Sequence, residues 1–200
     1  MIRLFLLLLM FYPSHLLAEP WPQVAQVIGV SADDHLNIRQ GPSINTKVIG
    51  RFEPTQSGIE VIATSGDGRW AQVNAGEQSG WAALRFLKVL ATQVGVPERF
   101  YCRGTEPFWA ANFERKQMTF SSPGADERKI LTSEWLSSSN QPGRFAAVSH
   151  TSTGSQTTTI LSRAQCSDGM SDRAYGFMLD LVFRLNGSPT HLTGCCSLTK

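Results

Sequence analysis

Histidine is scarce in this chain of 200 residues: there are four, all well apart in sequence. No H-E-x-x-H run occurs, so a helix offering two imidazoles and a general base to zinc is excluded. There is no C-x-x-C pair, the usual spacing of redox and zinc-binding thiols. No G-x-S-x-G turn is present to carry a hydrolase serine. Neither sign of charge dominates, with 18 Lys and Arg against 16 Asp and Glu. That balance disfavours nucleic acid as a partner. Beyond residue 18, no apolar run approaches the ~20 residues of a membrane-spanning helix. These patterns assign no catalytic residue, no metal and no cofactor.

The one long apolar run lies at the start. Met1-Ile2-Arg3 is a short positive segment, and Leu4 to Tyr12 is unbroken apolar sequence. Pro13-Ser14-His15 interrupts it, and Leu16-Leu17-Ala18 precedes Glu19-Pro20. This is the layout of a secretory signal peptide over residues 1–18, with cleavage after Ala18. Nine apolar residues make about 14 Å of helix, short of the ~30 Å hydrocarbon core, which disfavours an uncleaved anchor. The expectation is a periplasmic or secreted protein without a stable membrane anchor after cleavage.

All four cysteines fall in the second half: Cys102, Cys166, Cys195 and Cys196. In an oxidising compartment they read as structural disulfides. Four thiols allow three complete pairings. Cys195 and Cys196 are adjacent, and on a strand their side chains point to opposite faces. A bridge between neighbours would be strained, so Cys102 and Cys166 are each expected to bond one member of the adjacent pair. Which bonds which is open. The competing metal or redox site has only His191 nearby.

Residues 24–90 read as one strand-rich block. Val24-Ala25-Gln26-Val27 opens it, and Leu36-Asn37-Ile38-Arg39 alternates apolar and polar residues. Gln40-Gly41-Pro42-Ser43 is a turn cluster, followed by Val48-Ile49-Gly50 and Ile59-Glu60-Val61-Ile62. Ser65-Gly66-Asp67-Gly68 predicts a hairpin into Trp70-Ala71-Gln72-Val73, and the segment 74–80 turns again into Trp81-Ala82-Ala83-Leu84. Five or six short strands predict a small barrel. Six basic and six acidic side chains leave residues 24–90 neutral.

Several separated motifs here fall in one order. They are Leu36-Asn37-Ile38-Arg39-Gln40-Gly41-Pro42-Ser43, Val48-Ile49-Gly50, Asp67-Gly68-Arg69-Trp70-Ala71-Gln72-Val73, and Ser79-Gly80-Trp81 running on to Leu87. The block resembles a bacterial SH3 domain. The resemblance implies an SH3-like β-barrel that serves as an attachment module, binding cell-wall peptide or peptidoglycan, or an envelope protein. A groove needs exposed aromatic side chains flanked by polar ones, and Asn37, Arg39, Trp70 and Phe86 are the candidates. Arg39 has the simpler alternative of covering apolar surface with its stem, and Trp70 that of lying in the core. Trp81, set between small residues, is expected in the core.

Residues 91–96 read as a linker, and residues 97–200 as a second domain. Residues 97–200 hold 25 Ser or Thr, which favours strands and turns over long helices. Strands are expected over 108–113, 117–120, 129–136, 144–148, 157–162, 175–184 and 190–196, with Asn186-Gly187 as a turn and a mobile loop within 151–159. The expected fold class is all-β: an N-terminal SH3-like β-barrel, then a disulfide-linked antiparallel β-barrel or sandwich.

Three segments of this domain stand out: Cys102 to Trp109 (C-R-G-T-E-P-F-W), Cys166 to Asp172 (C-S-D-G-M-S-D), and Gly194-Cys195-Cys196. They resemble an uncharacterised family of exported bacterial proteins, which implies no activity. A looser similarity at Gly104 and Trp109 points to lipocalin-like or lysozyme-inhibitor-like barrels, as fold analogy. Phe108 and Trp109 are both expected in the core. Bridges to Cys195 and Cys196 would bring Glu106 and Asp168 together as an acid/base pair, against the simpler role of binding turn N–H groups or Arg103 and Arg173. Cys166 as a nucleophile would need a free thiol. The function expected is an exported, non-enzymatic binding protein. The alternative is a lysozyme-type hydrolase inhibitor or small-ligand carrier acting through the second domain.

Overall fold

In the computed structural model the described residues are 21–90, 94–114, 116–132, 134–150, 156–185 and 187–199. The expected signal segment, the first half of the linker, most of the expected loop and Asn186 of the Asn-Gly turn lie outside them. Among the described residues no helix is long and apolar enough to cross a membrane.

The first unit is built from eight strands: β1 (Gln23–Val27), β2 (Leu36–Arg39), β3 (Val48–Phe52), β4 (Ser57–Val61), β5 (Ala63–Thr64), β6 (Trp70–Ala75), β7 (Gln78–Ala83) and β8 (Leu87–Val89). β4, β1 and β8 form one sheet; the other has the order β3-β2-β7-β6-β5. Alternation sends Leu36 and Ile38 inward with Ala25, Val27, Val61 and Val73, while Asn37 faces solvent.

Trp81 does not join that core. On β7 the buried positions are Gly80 and Ala82, and Trp81 is half-buried on the other face, opposite Arg39 and Gln72. A Cβ at Gly80 would stand 2.7 Å from Ile38, 2.8 Å from Ile49 and 2.9 Å from the Arg39 carbonyl oxygen. Only glycine fits inward there, and the pleat then turns Trp81 out.

The second unit runs β9 (Arg99–Gly104), β10 (Trp109–Glu114), β11 (Gln117–Ser121), β12 (Arg128–Thr132), β13 (Leu136–Ser137), β14 (Arg144–His150), β15 (Gln156–Cys166), β16 (Tyr175–Leu185) and β17 (Ser188–Ser197). β9 was not expected, and the single strand expected over 129–136 divides into β12 and the two-residue β13. The sheet order is β12-β11-β10-β9-β17-β16-β15-β14, with β13 beside β14. Pairs Leu131–His150 and Thr132–Ser149 join β12 to β14 and close the ring. The result is an eight-stranded, antiparallel, up-and-down barrel rather than a sandwich. Its interior is filled by Phe100, Met118, Leu161, Phe177, Leu179 and Leu181, with Phe100 stacked on Phe113 at 4.3 Å.

Both bridges run to the adjacent pair: Cys102–Cys196 and Cys166–Cys195. Cys102 and Cys196 are direct cross-strand partners, buried in the barrel core. Cys195 faces the other way, as neighbours on a strand must, and pins the 166–172 loop to the barrel's outer side.

The two units are hydrogen-bonded to each other. Asp172 extends the edge of β7: the Ser79 amide donates to its carbonyl at 2.8 Å, and its own amide donates to the Glu77 carbonyl at 3.0 Å. The Asn74 side chain both donates to the Ala174 carbonyl and accepts from its amide, each at 3.0 Å. Glu60 on β4 is buried, 9% exposed, and accepts the Leu198 amide at 3.0 Å. Burial pushes its carboxyl up from 4.5 to about 7, against the lowering effect of the Leu198 amide and the Arg173 charge. The folded protein therefore holds a proton here that the unfolded chain releases. This group's contribution to stability is fully present below pH 4.5 and is lost as pH rises to about 7. By about pH 8 the loss is about 3 kcal/mol. Glu60→Gln should flatten the fall in urea midpoint between about pH 5 and about pH 8. An unchanged slope in the variant would contradict this assignment.

Candidate functional site

A cleft of about 790 Å³ lies on the outer face of β9, β10 and β17, bounded by the 166–172 loop and by Glu77 of the first unit. Its volume falls in the range of small-ligand sites. All three segments that stand out in the sequence line it. Alternation puts Tyr101 and Arg103 outward on β9, where they meet Cys195 and Ser197 of β17.

Two loops form its rim. Glu106 has φ of 54°, a left-handed conformation that non-glycine residues rarely adopt. Phe108 follows at 53% exposure, while Trp109 is 5% exposed and takes the inward place. The expectation that both rings are core is thus corrected for Phe108: Trp109 opens the pleat of β10 facing in, and Phe108 precedes the strand. The opposite rim carries Met170, 67% exposed. The Thr105 hydroxyl donates to the Asp168 carbonyl at 3.0 Å and ties the rims together.

Asp168 is the hub of its loop. Its carboxylate accepts the Met170 and Ser171 amides, the Ser171 hydroxyl and the Tyr175 phenol, at 2.9–3.0 Å. Desolvation works against the charge, but the four hydrogen bonds prevail and hold the carboxyl at about 2. Asp168 is therefore an anion with its lone pairs occupied. It binds turn N–H groups, and Glu106 is not among the cleft-lining residues. Cys166 is bonded to Cys195 and offers no thiol. Among the described residues no cluster of His, Cys, Asp or Glu could hold a metal ion.

The groove candidates of the first unit do not share one surface. Asn37 and Arg39 are on one face of β2, and the Arg39 guanidinium donates to the Thr46 carbonyl at 2.9 Å. Trp70 is 8% exposed and presents no open ring. Phe86 packs on the first core with the Arg85 guanidinium over its ring at 4.7 Å. The open aromatic beside Arg39 is Trp81, which the sequence placed inside. Glu77 as a cleft residue was missed as well, because nothing local predicts that its turn meets the second unit.

With the barrel and its outer face in view, the comparison with known families identifies one part. Residues 34–88 match the model of the bacterial SH3 domain, so the first unit carries a bacterial SH3 domain, a class of binding module. No curated protein and no solved structure matches the chain.

Proposed function

We propose that the protein is an extracytoplasmic, non-enzymatic binding protein whose SH3 domain takes cell-wall peptide or peptidoglycan. The match over residues 34–88 carries this reading. The two disulfides support an oxidising compartment. Within the domain the contact surface is the face bearing Asn37, Arg39 and Trp81, where an indole stands beside a guanidinium and polar groups. A domain neutral in net charge binds by stacking and hydrogen bonds rather than by long-range attraction.

Sedimentation of the full chain with purified, insoluble peptidoglycan tests this. The chain should pellet, and Trp81→Ala should cut the pelleted fraction severalfold, since the indole is the large apolar contact. A folded parent chain that stays in the supernatant would defeat the cell-wall assignment.

A further inference from the structure

The cleft between the two units has a charge pattern that its own structure does not use. Four charged side chains line it: Glu77, Arg103, Asp168 and Arg173. Two are committed. Asp168 is saturated by its loop, and Arg173 donates to the Gly76 carbonyl at 2.8 Å with its guanidinium 5.8 Å from the Tyr175 ring centre. Arg103 and Glu77 are different. Among the described residues, neither side chain makes an ion pair or hydrogen bond. They come from different domains, one cationic and one anionic, and both line one cavity.

We propose that this cleft binds a short zwitterionic peptide, its carboxylate on Arg103 and its ammonium group on Glu77. A dianion such as a phosphate ester suits the site poorly, because the guanidinium groups of Arg103 and Arg173 are already offset by the carboxylates of Glu77 and Asp168. A neutral sugar can hydrogen-bond to both groups but answers neither with an opposite charge, so its pairing is the weaker one. A zwitterion answers both charges at once. Phe108 and Met170 supply the apolar contact for its side chains, and the tied loops hold that rim in place before the ligand arrives. Because the ligand touches both domains, it also braces their junction. The site lies apart from the Trp81 face, so it stands or falls independently of peptidoglycan capture.

The test is calorimetric titration of the full chain with Ala-Leu-Leu-Ala bearing free termini. Saturable binding is expected. Arg103→Ala and Glu77→Gln should each weaken it about tenfold. Amidating the peptide's carboxyl should cost the parent the same factor and leave Arg103→Ala with no further loss; acetylating its amine should do likewise with Glu77→Gln. Both substitutions are at exposed positions, and circular dichroism confirms that the variants remain folded. Absence of binding at millimolar peptide would overturn the proposal. So would losses from variant and blocked terminus that simply add, since neither terminus would then meet its assigned residue.

Discussion

Replacing Cys102 and Cys196 together by alanine should lower the stability of the full chain by about 4.7 kcal/mol. The bridge spans 94 residues, from the first strand of the second barrel to its last, and so closes nearly the whole barrel in the unfolded state. The same substitution at Cys166 and Cys195, 29 residues apart, should cost about 3.6 kcal/mol. The order is reinforced by packing. Cys102 and Cys196 are fully buried in the core and leave a cavity when truncated, whereas Cys166 is partly exposed. Urea unfolding of the two double variants checks the order. A smaller loss at Cys102–Cys196 than at Cys166–Cys195 would contradict it.

The second large effect is expected at Gly104 and Gly194, which form a slot for the Trp109 indole. Trp109 is the cross-strand partner of Gly104. A Cβ at Gly104 would collide with the indole Nε1 and lie 2.9 Å from the Thr193 carbonyl oxygen. One at Gly194 would collide with the Arg103 carbonyl and lie 2.6 Å from Trp109 Cζ2. Neither glycine has a positive φ, so the cost is steric alone. Either Gly→Ala change should destabilise the barrel by at least about 3 kcal/mol, the upper part of the overpacking range, because backbone as well as a ring must shift. Gly104→Ala should also disturb the cleft, which Gly104 and Trp109 both line. A variant within about 0.5 kcal/mol of the parent, the effect of a surface change, would show that the slot is looser than described.

Much of this architecture can be read from residues whose neighbours in sequence decide their place. Leu36 and Ile38 alternate with Asn37, and the period of two is enough to set β2 and its inward face. The disulfide partners follow nearly as far, since adjacent cysteines on a strand must face apart. The segment 178–183, which could be helical by content, is strand because β-branched and aromatic residues surround it and Leu185 is followed closely by a turn.

The rest depends on contacts that sequence spacing does not encode. Trp81 faces out because Ile38 and Ile49, from two other strands, fill the space in front of Gly80. Phe108 and Trp109 are indistinguishable by composition; the glycine slot, assembled from β9 and β17, selects Trp109. The β9 strand was hidden because Cys102, Arg103 and Gly104 read as a motif rather than as part of an alternating strand. The cleft draws on the first domain, on β9 and on β17, elements brought together only by barrel closure and domain docking. The motif segments nonetheless marked its location, and Asp168 proved to be an anchor for the loop that shapes it.

We propose that the SH3 domain is the part that engages the cell wall. Amide chemical-shift mapping of the labelled full chain, titrated with soluble peptidoglycan fragments, tests it most directly. Saturable shifts are expected, centred on Asn37, Arg39 and Trp81, with the core strands of the β9–β17 barrel unmoved. Saturating fragment that leaves residues 34–88 unperturbed would contradict it.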